Sequence, residues 1–424
     1  MALHSSALLL NLSICSPNNM TYLGDALTAR VGEFVELRRD IHKHPELAFE
    51  EHRTSDLVAS KLEAWGYSVH RGLGGTGVVG TLKRGSANKS LGLRADMDAL
   101  PIHEKTGLDW TSRTPGLMHA CGHDGHTAML LAAAKALAQD SQFDGTLHLI
   151  FQPAEEGGGG AVRMMQDGLF DLFPCDAIFA MHNMPGVPAG HFVFRDGPAM
   201  ASSDYVTIRV QGIGGHGAMP HRCADPLVAA SSMVLALQTV VSRNVDPLDT
   251  AVVTVGAMHA GQANNVIPAL ATLELSVRAL TPNVRRLLEK RIKALVAAQA
   301  ESFGVTAEVD WKPGYCVLVN SPKETDFARQ IALNMVDASK VTLQGPAVTG
   351  SEDFAFMLEK VPGSYLLIGN GDGDSAGACM VHNPGYDFND DNIAVGATYW
   401  VNLAKTYLYM NPHPVPAQEH ACMA

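Results

Sequence analysis

From Tyr22 to Gly66 apolar residues recur at helical spacing, with Val31, Phe34, Leu37 and Ile41 in one stretch and Leu57, Leu62 and Trp65 in another. Two helices flanking His44-Pro45 are expected there. Short β-like runs over 77–82 and 90–94 follow, then a loop, a helix over about 126–139 and a strand over 145–151. The apolar segments 179–182 and 364–368 read as further buried strands of the same sheet. This alternation predicts an α/β fold in which helices flank a mixed sheet.

Between about 201 and 310 the rhythm changes. A strand over 204–211, a Gly-rich turn, a long helix over 226–241, strands over 251–259 and 271–280, a helix over 282–303 and a final strand succeed one another. The order β-α-β-β-α-β is that of a ferredoxin-like unit. The chain is therefore read as a catalytic domain over 1–200 and 311–424, interrupted by an inserted α+β lid and dimerisation domain over 201–310. A small sheet with both helices on one face leaves an edge strand free, and free edges are usually paired, so a homodimer or higher homo-oligomer through the lid is expected. A length of 424 residues exceeds what one ordinary core requires, in keeping with two domains.

Composition narrows the class. With 46% hydrophobic and 17% charged residues the chain is globular rather than disordered or fibrous. A formal net charge of -12 with scattered Lys and Arg disfavours nucleic acid or an anionic membrane as partner. No unbroken run approaches the roughly 18 apolar residues of a membrane span. Seven Cys without a C-x-x-C pair form neither a disulfide framework nor a zinc ribbon, which favours a reducing, cytoplasmic setting. The apolar run Ala7 to Leu10 has no Lys or Arg ahead of it, so residues 1–19 read as a disordered extension or a start placed ahead of Met20, not as a signal peptide.

Candidate chemistry is concentrated in a few places. His119-Ala120-Cys121-Gly122-His123-Asp124-Gly125-His126 lies where a loop enters a helix, and a thiol and an imidazole two residues apart suit a borderline-soft divalent metal. The same residues could form a Cys-His nucleophile pair or plain loop structure. Gln152-Pro153-Ala154-Glu155-Glu156 and four following glycines leave a strand's carboxyl end, where one carboxylate can bind metal while its neighbour serves as general base. An acidic surface turn is the plainer reading. His182 ends another strand, His382 lies in a late loop, and Asp96 and Asp98 follow a third strand. A lone histidine is more often structural than a ligand, but candidates from several strand ends match how such sites are assembled.

At these residues the sequence resembles the dinuclear metallopeptidases related to carboxypeptidase G and aminoacylase, and within them the amidohydrolase branch of hippurate hydrolase and the auxin-conjugate (IAA-amino acid) hydrolases. The likeness runs from Arg38-Arg39-Asp40-Ile41-His42-Lys43-His44-Pro45 to Gly350-Ser351-Glu352-Asp353-Phe354 and the His382 loop. It implies Cys121, His123, Glu156, His182 and His382 as metal ligands, Glu155 as general base and Asp98 as the carboxylate supporting them. Asp96 departs from the wider family, which has a metal-binding His two residues before Asp98; the amidohydrolase branch similarly lacks that His, and the resemblance implies Cys121 as compensation. The resemblance also implies two divalent ions per subunit, for which zinc, manganese, cobalt or nickel suit the mixed ligands. In Gly212-Ile213-Gly214-Gly215-His216-Gly217 it implies that His216 reaches a neighbouring subunit's site to steady an oxyanion; by itself the run reads as a Gly-rich hairpin. Asn265 and Arg278 resemble positions that hold the substrate's polar end.

The implied activity is metal-dependent hydrolysis of N-acyl amino acids to a carboxylic acid and a free amino acid. Competing readings are a dipeptidase or carboxypeptidase on small peptides, a silent metal-binding module, and a cysteine hydrolase that would survive chelation.

Overall fold

The structure, a computed structural model, describes residues 31–139 and 143–409; the expected extension over 1–19 lies outside them. An eight-stranded sheet forms the larger unit. Across it, in order, run Ser68–Leu73, Gly77–Arg84, Gly145–Gln152, Ser90–Asp96, Ala177–Pro185, Gly363–Gly371, Phe192–Val193 and Val341–Thr342. Ser90–Asp96 is parallel to both neighbours and Gly363–Gly371 is parallel to Ala177–Pro185, whereas Ser68–Leu73 and Gly77–Arg84 pair antiparallel. The sheet is mixed and helices cover it.

Side chains alternate between two cores on its faces. Leu147 and Leu149 join the core that includes Ala128, Leu131 and Trp400, while Ile150 and Ile178 join a smaller one with Met164, Phe354 and Met357. Every residue of Ser90–Asp96 is buried, as in a central strand covered on both sides. The helix His123–Gln139 packs against Val31–Lys43 and Asn392–Tyr409. It starts three residues earlier than the apolar periodicity predicts, because its first turn buries polar His123 and Asp124. Ser68–Leu73 and the two-residue strands are absent from the sequence expectation. The first is a mostly exposed edge, and two residues are too short for alternation to register.

A second, antiparallel sheet runs Ala251–Ala260, Leu270–Ala279, Ser202–Gln211, Thr306–Pro313. In Ser202–Gln211, Val206, Ile208 and Val210 are buried while Tyr205, Arg209 and Gln211 are exposed, so one face is covered and the other open. Helices Pro226–Asn244 and Pro282–Ser302 pack on this sheet and share a core with it, including Met233, Leu237, Leu273, Leu288 and Ile292. Both helices begin with Pro after a capping residue: Asp225 accepts from Leu227 N at 2.9 Å and Thr281 Oγ1 from Val284 N at 3.2 Å. Among the described residues Pro226–Asn244 is long and apolar enough to cross a membrane by length and composition. Here Ala229, Met233, Leu237 and Val240 are buried in the unit's core instead.

Candidate active site

Three parallel strands end along one rim of the large sheet, the edge at which open α/β sheets hold ligands. Ser90–Asp96 leads to Asp98, Gly145–Gln152 leads to Glu155 and Glu156, and Ala177–Pro185 carries His182 near its end. Cys121 and His123 come from the start of His123–Gln139, and His382 from the loop ahead of Asn392–Tyr409.

Local backbone geometry is specific. Gly122 has φ +93°, and a Cβ there would lie 2.3 Å from Asn183 Nδ2 and 2.4 Å from Tyr386 Oη. Only glycine allows this turn to deliver Cys121 and His123 together. Two non-glycine residues adopt left-handed φ in the site's own loops, Ala154 (54°) beside Glu155 and His382 (63°) itself. Such positions cost on the order of 1–3 kcal/mol each and persist where the surroundings hold them. Ala154 N donates to Glu51 Oε1 at 2.9 Å, and His382 N donates to Ala120 O at 2.7 Å.

Ligand-type atoms of Cys121, His123 and His182 lie within 4.8 Å of one another, as do those of Cys121, Glu156 and His382, and those of His123, Glu155 and Glu156. Cys121 Sγ is 3.3 Å from His182 Nε2, and His382 Nε2 is 3.1 Å from Glu156 Oε1. His123 Nδ1 faces Asp98 Oδ1 at 3.1 Å and His182 Nδ1 faces the Asn183 carbonyl at 2.6 Å. A proton held at Nδ1 by these acceptors leaves each Nε2 lone pair toward the cluster. His123 Nε2 is buried without a hydrogen-bond partner, an orphan that a cation would complete. Thiol, imidazole and carboxylate together are the donors of a borderline divalent ion, so these residues fit a metal.

Under the cluster lies a buried charge network. Arg94 donates to Asp96 at 2.7 Å, Gln152 and Glu352 at 2.8 Å and Asp353 at 3.2 Å. The other oxygen of Asp96 meets His126 Nδ1 at 2.6 Å, and His126 Nε2 accepts from Asn183 N at 3.0 Å. Both His126 nitrogens are therefore engaged, in contrast to His123. Burial, then Glu352 and Glu156, push the Glu155 carboxyl well above its usual range. Burial, then Glu156 and Glu155, raise the Cys121 thiol, so an incoming cation displaces a proton. Burial and neighbouring His126 hold His182 neutral.

Cys121, His123, Glu155, Glu156, His182, His382 and Asp98 are thus brought together. His216, Asn265 and Arg278 stand on the four-stranded unit. His216 is exposed, in a two-residue strand paired with Val266, and Gly217 N donates to Asn265 O at 2.8 Å. Arg278 reaches across to the larger unit, where Nη1 donates to Ser351 Oγ at 3.0 Å beside Glu352. Sequence reading passed over Glu51, which accepts from Phe49 N as well as Ala154 N, and Tyr315, whose hydroxyl donates to Glu155 O. Both are isolated residues, and no local pattern marks them.

The sequence profile of peptidase family M20/M25/M40 matches residues 92–406. The chain is 44% identical over 377 residues to a hippurate hydrolase of Campylobacter jejuni, covering 89% of this chain and 97% of that one. It is 37% identical over 381 residues to an N-acetyl-L-cysteine deacetylase of Bacillus subtilis, covering 89% of each. Among solved structures, the YxeP protein of Bacillus subtilis, described as a dinuclear metal binding peptidase, matches with a TM-score of 0.79 and 31% identity, over 91% of this chain and 99% of that one.

Proposed function

The chain belongs to peptidase family M20/M25/M40, and from that membership we propose that it is a metal-dependent amidohydrolase cleaving N-acyl amino acids to a carboxylic acid and a free amino acid. The observation that carries this reading is the convergence of Cys121, His123, Glu156, His182 and His382 beside the buried carboxyl of Glu155. Overlap of the ligand groups at Cys121 supports two ions, one with Cys121, His123 and His182 and one with Cys121, Glu156 and His382.

When bound, the divalent metal polarises the scissile carbonyl and lowers the pKa of the attacking water. Glu155 takes the water's proton as its oxygen attacks the carbonyl carbon. It then returns that proton to the amine nitrogen as the carbon–nitrogen bond breaks. Burial and the adjacent carboxylates raise the proton affinity of the Glu155 carboxylate, which strengthens it as the base for the water's proton. Asn265 and Arg278 would hold the amino acid's carboxylate, for which the planar guanidinium is well matched.

The four-stranded unit acts as a lid and dimerisation domain in this proposal, bringing the partner subunit's His216 to the oxyanion. Its edge strand Ala251–Ala260 and the exposed Leu227, Val228 and Leu235 of Pro226–Asn244 support self-association. A cytoplasmic location is supported by five unpaired cysteines among the described residues.

The test is amino-acid release by metal-reconstituted protein from N-acetyl, N-benzoyl and long-chain N-acyl amino acids and from dipeptides, before and after chelation. Release from an N-acyl amino acid that stops on chelation and returns with a divalent ion is expected. Release from dipeptides alone would overturn the substrate class, and undiminished release by metal-free protein would overturn the mechanism.

A further inference from the structure

The turn that carries Glu155 is held by several side chains, and one of these holds starts at the junction with the four-stranded unit. The chain enters that unit along Ser202–Gln211 and leaves it along Thr306–Pro313, so Gly314 and Tyr315 begin the return crossing. The two crossings are laced together. Tyr315 N donates to Ser203 Oγ at 3.0 Å, Ser203 N to Tyr315 O at 3.0 Å, and Gly314 N to Ser203 O at 2.8 Å. A Cβ on Gly314 would lie 2.6 Å from Ser203 O and 2.7 Å from Ser203 Oγ, so no larger residue fits this approach.

From the junction the Tyr315 side chain extends to the larger unit, its ring edge-on to Phe356 with 6.1 Å between centroids. Its hydroxyl donates to Glu155 O at 2.5 Å and accepts from Gly159 N at 3.2 Å. One phenol therefore bonds both limbs of the turn. Ala154, Gly157 and Gly159 have φ of 54°, 78° and 69° and residues 157–160 have no side chains to pack, so the turn depends on hydrogen bonds: besides those to the phenol, Gly157 N donates to Glu155 O at 2.7 Å and Gly160 N to Ala154 O at 3.0 Å within it. The holds from outside the turn at Ala154 N, Glu156 N and Ala161 N are the carboxylates of Glu51, Asp98 and Asp353, all of the larger unit, whereas Tyr315 reaches the turn from the junction with the four-stranded unit.

We propose that Tyr315 is a positioning residue that sets the Glu155 turn and passes to it the orientation of the four-stranded unit. Its effect on turnover rests on the general-base role proposed for Glu155; its mechanical role does not. Rotation of the unit about its two crossings moves the Ser203–Tyr315 junction as one piece, and the phenol carries that motion to Glu155 O and Gly159 N.

Tyr315→Phe keeps the ring on Phe356 and the backbone bonds to Ser203, and removes only the hydroxyl. With metal-loaded protein and N-benzoylglycine, kcat is expected to fall about tenfold while KM and metal content stay within about twofold. Native-state hydrogen exchange at amides 157–160 is expected to quicken about tenfold while Gly145–Gln152 keeps its protection. Gly314→Ala forces the crossings apart and should quicken exchange in the same turn, but add nothing in the Tyr315→Phe background. Ser203→Ala, which removes only the acceptor for Tyr315 N, supplies the milder version if Gly314→Ala does not fold. Unchanged turn exchange in Tyr315→Phe overturns the positioning role, and so does loss of metal together with protection across the strand, which marks a merely structural tyrosine. Equal effects of Gly314→Ala in both backgrounds overturn the transmission. If the unmodified protein cleaves no N-acyl amino acid, the functional reading fails, and the exchange cycle still decides Tyr315.

Discussion

Asp98 faces His123 Nδ1 at 3.1 Å with one carboxylate oxygen, and its other oxygen accepts from Glu156 N at 2.8 Å. One buried side chain thereby orients two proposed ligands that reach the centre from different elements. Asp98→Asn keeps the shape but turns a donor toward a donor. Metal affinity is expected to weaken about 10-fold to 100-fold, the usual effect of losing a ligand's supporting partner. Competition against a fluorescent chelator measures it, and unchanged affinity would remove Asp98 from this role.

The adjacent carboxylates should separate by role. Glu155→Gln is expected to keep its metal and lose about 100-fold to 10,000-fold in turnover, the range of general-base contributions. Glu156→Gln, which alters a group 3.1 Å from His382 Nε2, should lose metal as well. Metal analysis beside steady-state kinetics reads both, and the opposite pattern would exchange the two assignments.

A pH dependence of stability follows from a histidine outside the proposed ligand set. His148 is buried in Gly145–Gln152, 2.9 Å from Thr81 Oγ1 and edge-on to Phe173, and burial lowers its pKa from 6.5 to about 4. Above pH 6.5 it is neutral in both folded and unfolded chains and contributes no pH dependence. Between 6.5 and 4 the unfolded chain takes up a proton that the folded chain refuses, so stability falls as pH falls, by roughly 2 kcal/mol at pH 5. His148→Gln should flatten this part of the curve whatever it does to absolute stability. Denaturant melts at pH 8 and pH 5 on both proteins provide the comparison, and parallel curves would refute it.

What could be read in the sequence depended on whether the cause was local. Cys121-Gly122-His123 and Glu155-Glu156 stand out because ligand-type residues crowd a loop-to-helix or strand-to-turn boundary, and the buried strands carry unbroken apolar runs. The choice of His123 over His126 came from the family resemblance and not from the local pattern, since its physical cause is Asp98 reaching one and Asp96 and Asn183 occupying both nitrogens of the other. Glu51 and Tyr315 were hidden for the same reason: their partners lie 103 and 160 residues away. Ser68–Leu73 escaped because a mostly exposed edge strand has no apolar face to betray it.

Ala218 N donates to His216 Nδ1 at 3.1 Å, which places the ring proton on Nε2, the tautomer needed to donate to an oxyanion. The residue is exposed on the four-stranded unit rather than gathered with Cys121 and Glu155, so the proposed role has it serve the other subunit of a homodimer. Loss of one oxyanion donor costs roughly 100-fold to 1,000-fold in turnover, so His216→Ala should lower kcat far more than metal content. Mixing Glu155→Gln chains with His216→Ala chains under subunit exchange then separates action in trans from action in cis. In trans, one site of the mixed dimer combines an intact Glu155 with an intact His216 from the other chain, and the mixed dimer itself recovers half the activity of the unmodified dimer. In cis, each site keeps one defect and activity stays at the level of the parents. Mixed dimers shown by mass spectrometry with no recovery would rule out the trans role and leave His216 a local or structural residue.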